Sequence, residues 1–219
     1  MRKATLLVMV AALAAAFSAC HMGRGVKGSG VRKAEKRDLQ AFKAIDTTGA
    51  YEVEVQCQKP ASFEIEADDN ILPLIKTEVR DGVLYVSNEK RYNSGKAVAL
   101  RISLPELISV SSRGAGEITI QDANSDNLKI ESTGAASVRA VGKVKTATIS
   151  SLGAGDIEAN RLQAETARVT VAGAASVNVY VTEQLDVSVS GVGSVTYSGN
   201  PKTVNKNVSG IGGVNKKEE

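Results

Sequence analysis

The sequence alternates apolar and polar residues on both sides of a short glycine-rich phrase that recurs from Gly114 onward. The leading glycines of the phrase lie 20, 19, 20, 18 and 19 residues apart. The six copies are GAGEI at 114–118, GAASV at 134–138, GAGDI at 153–157, GAASV at 173–177, GVGSV at 191–195 and GIGGV at 210–214. Self-similarity at a fixed period predicts a solenoid, in which each unit buries its apolar face against its neighbours.

Equivalent positions of the repeats form columns of apolar residues at every second place. Apart from Lys206, the column four residues before the glycine is aliphatic: Val110, Ile130, Ile149, Val169 and Val187. The column six before holds Ile108, Leu128, Ala147, Ala167, Leu185 and Val204. The column four after holds Ile118, Val138, Ile157, Val177, Val195 and Val214, and the column six after holds Ile120, Ala140, Ala159, Val179 and Tyr197. The residues between these columns are mostly polar. A period of two predicts strands with one buried face, so each unit is two short strands bent at a glycine corner.

The register of these columns predicts an all-β fold, a single-stranded parallel β-helix with coils of about 19 residues. Equivalent residues of successive coils then stack about 4.8 Å apart. An antiparallel meander of hairpins is the alternative, because it can repeat at the same spacing. The repeats lack the two-residue hairpin signals that a meander needs, and this favours the β-helix.

The segment before the repeats is β-rich but irregular. Gly49 and Val53 echo the repeat phrase and indicate an early, divergent coil, and residues 62–67 alternate as a further strand. Asp69 is placed to cap a single helical turn over residues 70–74. Asp81-Gly82 predicts a hairpin turn between two strands. We expect this region to cover the open end of the β-helix, which would otherwise expose a strand edge.

The N-terminus has the pattern of an export signal. Two basic residues precede an uncharged apolar stretch over residues 4–17, which is too short to span a membrane as a helix. The stretch ends in Phe-Ser-Ala before Cys20 and resembles the lipobox of bacterial lipoproteins, which implies a lipid on the Cys20 thiol. The predicted divisions are a signal peptide at 1–19, a lipidated, basic, flexible tether at 20–37, a folded domain at 38–215 and a charged tail at 216–219.

Charge limits the partners of the folded part. The chain has a formal net charge of +3, but residues 21–37 alone contribute +5 and the signal peptide +2, so residues 38–219 are mildly acidic. We therefore expect no nucleic-acid-binding surface on the folded part. The predicted partner is the membrane, through the lipid on Cys20, with an envelope protein or glycan as a further candidate. No acidic run follows Cys20, and we expect an outer-membrane location on the periplasmic side.

The candidate chemistry is sparse. His21, the single histidine, lies in the predicted tether, so no serine–histidine or cysteine–histidine pair is available to the folded domain. Cys57 shares a strand face with two valines and is expected to be buried. Residues 122–126 hold only part of a calcium-loop pattern. The acidic cluster Glu64, Glu66, Asp68 and Asp69 is a weak calcium candidate, but the alternation places Glu64 and Glu66 on the solvated face of a strand, and this interpretation is favoured. We predict no catalytic residue, metal or cofactor.

Two acids are considered as a catalytic pair. Glu117 and Asp156 lie two coils apart in one outward column, so about 10 Å would separate them, near the upper limit for inverting glycosidases. The sequence has no Trp for a sugar-stacking platform. A polysaccharide-cleaving or carbohydrate-binding β-helix protein is therefore kept as the alternative.

The whole folded part resembles the putative auto-transporter adhesin head GIN domain family. The resemblance covers about residues 39–215 and is carried by the entry at 42–45 with Gly49 and Val53, the turn at 68–72, residues 81–84 and the repeated glycine phrases. It implies a β-helical envelope protein with an adhesin role. Our principal hypothesis is thus a non-catalytic cell-envelope lipoprotein that presents a rigid β-helical surface for adhesion or envelope assembly.

Overall fold

The computed structural model describes residues 25–217, and this part of the chain is built almost entirely of strands. Its one helical element is a short 3₁₀ helix at Leu72–Leu74. The strands are β1 Val26–Lys27, β2 Arg32–Lys36, β3 Ala44–Gln56, β4 Ser62–Asp68, β5 Ile75–Arg80, β6 Val83–Asn88, β7 Tyr92–Asn93, β8 Val98–Ser103, β9 Ser109–Ser151, β10 Ile157–Val171, β11 Ser176–Val189, β12 Ser194–Ser198, β13 Thr203–Val208 and β14 Gly213–Lys216. Twelve of them form one large mixed sheet, and β1 pairs with β7 separately. Over residues 25–217 the structure contains no helix with the length and apolarity to cross a membrane.

The repeats pair in parallel, each with the equivalent residues of the next. Val169 of β10 is in register with Ile149 of β9 and with Val187 of β11, offsets of 20 and 18 residues. The predicted early repeat around Gly49 joins the same pattern, because Gly49 pairs with Gly114 and β3 lies parallel to β9. The parallel pairing excludes the antiparallel meander for the repeat region.

The core lies where the alternation predicted it. The column four residues before the glycine is buried from Val110 to Val187, and Lys206 at the last repeat is exposed. The other columns are buried as well, apart from Val204 and Val214 of the last repeat, which are half-buried, and Ile108 of the first. Ile108 is exposed while its neighbour Leu107 is buried. The alternation does not reach Ile108, because β9 begins only at Ser109.

Close stacking explains the glycines at the corner. Gly134 has φ of +136°, and a Cβ added there would lie 2.2 Å from the carbonyl oxygen of Gly114, the equivalent glycine of the preceding repeat. Such a separation is far inside van der Waals contact, so no other residue fits without moving the backbone. The repeated phrase therefore sets how closely the strands stack.

The irregular N-terminal part extends the sheet beyond β3. β6 and β8 lie parallel to the two halves of β3, on the edge opposite β9, and β5 and β4 then pair with them in antiparallel fashion. The predicted Asp81-Gly82 turn is confirmed, with φ of 51° and 73°. The predicted cap is wrong: the helical turn is shorter than expected and has no side-chain cap, and Asp69 instead accepts a hydrogen bond from Ser29.

The prediction of a flexible tether over residues 20–37 is wrong for the part that the structure describes. β2 pairs with β4 over five residues, from Arg32 opposite Asp68 to Lys36 opposite Glu64. Asp68 is buried and accepts hydrogen bonds from the Gly30 amide and the Ser94 hydroxyl. Backbone pairing and charged contacts hold β2, and neither leaves an apolar pattern in the sequence. The predicted signal peptide and the predicted lipidation site Cys20 lie outside the described residues.

Candidate functional site

An open cavity of about 570 Å³ lies on the outer face of β2, β4, β8, β3 and β9, and we call it the polar groove. Its floor is the solvent side of the strands, so the alternation that buries one face supplies polar side chains to the other. The polar lining residues are Lys36, Glu54, Gln56, Lys59, Ser62, Glu64, Arg101, Ser103, Thr119 and Gln121. Val55, Phe63 and Ile102 also border the groove but are themselves buried.

Strand register arranges the lining in two rows that run across the sheet. The first row, in order across β2, β4, β8, β3 and β9, is Lys36, Glu64, Arg101, Glu54 and Thr119. The second row, two residues along, is Ser62, Ser103, Gln56 and Gln121. Neighbouring strands lie about 4.8 Å apart, so the first row spans about 19 Å. The groove thus offers hydrogen-bonding groups along a straight line.

Arg101 forms ion pairs with three acids, two of them in the first row and the third, Glu66, beside it. Its guanidinium lies 3.0 Å from Glu66, 3.3 Å from Glu64 and 3.8 Å from Glu54. The hydrogen bond from Arg101 and a second from Arg32 lower the pKa of Glu66, and the same contact raises the pKa of Arg101. The Glu66 carboxylate is therefore stabilised in its ionised form, which is unlike the environment of a general acid.

The second row is held by hydrogen bonds among hydroxyl, amide, carbonyl and carboxylate groups. The hydroxyls of Ser62 and Ser103 lie 2.7 Å apart, and the Ser103 hydroxyl donates to the Pro60 carbonyl. The Gln56 amide donates to the Asp122 carboxylate at the far end of the row. These contacts fix the side chains that a ligand would meet in the groove.

Two lysines bring unpaired positive charge to the groove. Lys36 lies at the end of β2 and Lys59 in the loop between β3 and β4, and both are exposed. Within residues 25–217, neither has a carboxylate at salt-bridge distance, whereas Lys43, Lys129 and Lys145 elsewhere on the surface each do. The groove therefore presents cations and anions side by side, because the two lysines lie near an arginine that is shared by three carboxylates.

Of the two acids considered as a catalytic pair, Glu117 is engaged in an ion pair. Glu117 makes a 3.0 Å salt bridge to Arg139, which also binds Glu158 at 2.9 Å. Asp156 lies at a corner, where its backbone carbonyl accepts a hydrogen bond from Val138.

The remaining predicted positions carry no site in residues 25–217. In this range no group of three histidine, cysteine or acidic side chains is arranged to hold a metal ion. Cys57 is buried, as predicted, and burial raises the pKa of its thiol to about 11. Asp69 is tied to Ser29, whose hydrogen bond lowers the pKa of the Asp69 carboxyl.

Sequence reasoning did not find the polar groove. Lys36 was assigned to the tether, and the acids Glu64 and Glu66 were regarded simply as solvated. The alternation around Glu64 and Arg101 showed that both side chains face outward, but nothing in the sequence showed that β4 pairs with β8. The groove gathers residues from 36 to 121, and strand pairing alone makes them neighbours.

Comparison with solved structures supports the fold. A putative adhesin from Bacteroides fragilis is 25% identical, with a TM-score of 0.71 over 88% of this chain and 100% of that chain. A protein from Parabacteroides distasonis, described as a putative lipid binding protein, is 21% identical with a TM-score of 0.58 over 88% and 99%. The search for similar curated proteins gives no match. The family model described as putative auto-transporter adhesin, head GIN domain, matches residues 41–201, and the chain therefore belongs to this family.

Proposed function

We propose that this protein is a non-catalytic lipoprotein of the bacterial cell envelope that acts as an adhesin through the outer faces of a rigid parallel β-helix. Membership of an adhesin family supports the adhesive role. Parallel pairing at offsets near 19 residues, together with the buried inward columns, supports coils that close into a β-helix. Such a stack holds its outward side chains at fixed spacing, which suits a binding surface.

The observation that carries the non-catalytic assignment is the pairing of the outward acids. Glu54, Glu64 and Glu66 surround Arg101, and Glu117 and Glu158 flank Arg139. Polysaccharide-cleaving enzymes need two carboxyl groups that converge on one bond, with the acid protonated at working pH. The acids on these faces are instead shared with cations, which favours presentation of a surface over cleavage.

The carbohydrate-binding alternative gains support from the polar groove. Its accessible lining consists of hydroxyls, amides and charged groups, the chemistry that binds sugar hydroxyls. A binding assay on immobilised protein across polysaccharides, with release of reducing ends measured in parallel, separates the possibilities. We expect binding without release. Steady release of reducing ends would contradict the non-catalytic assignment.

We further propose that a lipid on Cys20 attaches the protein to the outer membrane. The lipobox-like residues before Cys20 support the anchor, and the absence of an acidic run after it favours the periplasmic side. There the adhesive ligand would be another component of the envelope. Few residues separate Cys20 from the strands that begin at Val26, so the domain would stand close to its membrane.

Substitution of the cysteine tests the anchor. Cys20→Ser should remove the acyl mass from the protein and release it from the membrane fraction, as measured by intact mass spectrometry and fractionation. Cys57→Ser is the matched control, because it removes the other cysteine and should leave both properties unchanged. Unchanged mass and membrane association in the Cys20→Ser protein would refute the lipid anchor.

A further inference from the structure

We propose that Lys206 is a cap, which keeps the last repeat of this chain from pairing with the last repeat of a second copy. The proposal goes beyond the proposed adhesive function, because it concerns the end of the stack of strands and not an outer face. Three features of this end carry it: two open strand edges, apolar side chains that the last repeat leaves uncovered, and a lysine that lies across them.

The last repeat has two strand edges without a partner in the part of the chain that the structure describes. β13 pairs with β11, and β14 pairs with β12, so one side of each strand is open. The free amide and carbonyl groups of such an edge are a template for a strand of another molecule. At the other end of the sheet, the edge strands β2 and β5 are rich in charge, with the sequences RKAEK and IKTEVR. β13 and β14 carry one lysine each and no acid, so they are far less protected.

Apolar side chains are uncovered at this open end. Val189 and Val195 of the preceding repeat are fully buried, whereas their partners in register, Val208 and Val214, are exposed and half-buried. Ile211 at the corner of the last repeat is 80% exposed. A strand added to this end would remove these side chains from water, which favours association. Backbone hydrogen bonding and apolar burial therefore both act to bring two such ends together.

Lys206 lies across this apolar end. Its partner in register is the buried Val187, so the lysine stands on the inward face of β13. Its ammonium donates a 3.0 Å hydrogen bond to the carbonyl oxygen of Val214 and lies 5.3 Å from the centre of the Tyr197 ring. A cation over an aromatic face is attracted to it. The side chain thus crosses from β13 to β14 and places a charge where the next repeat would otherwise stack.

Pairing with a second copy would bury this charge. A strand paired with β13 would lie about 4.8 Å away and would enclose the ammonium between two apolar ends. Val204 and Val208 flank Lys206 on the same face of its strand, and the second copy would bring an identical lysine. An ammonium that leaves water without a carboxylate partner strongly disfavours the association. Charge that points inward on an edge strand is one way in which β proteins avoid edge-to-edge pairing.

Removal of the charge tests the cap. Lys206→Met keeps an unbranched side chain but has no ammonium. We expect the association constant, measured by sedimentation of the full chain in density-matched detergent, to rise at least tenfold in this variant. Pairing should stop at a dimer, because the C-terminal ends can meet each other but not the charged edges β2 and β5. Lys206→Arg keeps the charge and should remain monomeric, like the parent protein.

Three further variants separate the cap from other effects. Asn207→Met adds apolar surface on the same strand, but at the neighbouring exposed position on the opposite face, and should remain monomeric. Lys206→Met/Val208→Lys moves the charge two residues along the inward face, to a side chain that is already 41% exposed, and should restore the monomer. Lys206→Gln removes the charge but keeps a donor for the Val214 carbonyl, so it should dimerise even if Lys206→Met fails to fold in a thermal melt.

Each contrary result would overturn the cap. If Lys206→Met and Lys206→Gln stay monomeric over a tenfold range of concentration, the open end does not associate when its charge is removed. Equal association of Lys206→Met and Asn207→Met would assign the effect to added apolar surface. A parent protein that dimerises as tightly as Lys206→Met would show that the lysine blocks nothing. Assemblies larger than a dimer would show that strand edges outside the last repeat pair as well.

Discussion

Val169→Asp places a carboxyl group in the centre of the inward column. Val169 is fully buried, and its strand neighbours in register are the aliphatic residues Ile149 and Val187. The cation next to it in sequence, Arg168, points to solvent with 71% of its side chain exposed. A carboxylate introduced at this buried position would therefore have no partner of opposite charge.

The expected loss of stability combines three contributions. Holding the new carboxyl neutral at pH 7 costs up to about 4 kcal/mol, since each unit between pH 7 and its ordinary pKa costs about 1.4 kcal/mol. Loss of the buried apolar side chain lowers the free energy of unfolding by about 1.5 to 3 kcal/mol. Burial of a neutral carboxyl without a hydrogen-bond partner lowers it by about 1 to 3 kcal/mol more. The total approaches the roughly 5 to 15 kcal/mol that holds a typical domain together.

Urea unfolding followed by circular dichroism measures the effect, with Thr170→Asp as the control. Thr170 lies one residue along and outside the buried core, where substitutions usually change the free energy of unfolding by about 0.5 kcal/mol. Val169→Thr keeps the shape and introduces only a hydroxyl, so it should remain folded with a loss of about 1 to 3 kcal/mol. Lys206→Asp, at the exposed last repeat, should change the free energy of unfolding only slightly.

The pH dependence separates the charge from the packing. Burial raises the pKa of the new carboxyl in the folded state above its unfolded value, so the charge penalty is absent below about pH 4 and grows as the pH rises. Val169→Asp should therefore regain stability relative to the parent protein in mild acid, whereas Val169→Thr should not. Equal losses for Val169→Asp and Thr170→Asp would refute the inward column and the strand phase deduced from it.

Three other contacts in the described residues can be tested by substitution or labelling. Gly134→Ala should lower the free energy of unfolding in urea by about 3 kcal/mol or more, because the added Cβ would clash with backbone. Gly82→Ala, in an open turn with φ of +73°, should lower it by only about 1 kcal/mol. Equal losses in the two variants would contradict the close stacking. Arg101→Met should raise the pKa of Glu66 in an NMR titration, because the hydrogen bond from Arg101 is the largest cause of the lowered pKa. In the parent protein this contact stabilises the fold above the ordinary carboxyl pKa, and the stabilisation is lost as the pH falls through the pKa of the folded state. An unchanged pKa of Glu66 in the variant would contradict the contact. Cys57 should react with a thiol reagent at pH 8 only after unfolding, since its thiol is buried with a pKa raised to about 11, and rapid labelling of the native protein would show that its strand opens.

The sequence by itself determined the class of fold and the face of each repeat. The five residues of the inward column from Val110 to Val187 are buried, and Lys206 at its last place is exposed, as the sequence pattern predicted. This information is local: a period of two gives the strand face, and a fixed period between glycines gives the offset at which repeats pair. Gly49 could be matched to Gly114 for the same reason, although the early coil has diverged.

Only the tertiary structure decided how the N-terminal part is used. Residues 32–36 have the composition of a solvated tether, yet they form a strand because their backbone completes the edge of β4 and Arg32 meets Glu66. The polar groove depends on the same pairing, which brings Lys36 beside Glu64 and Glu64 beside Arg101. Backbone hydrogen bonds between distant strands do not depend on side-chain type, so the sequence carries no local record of which strands meet.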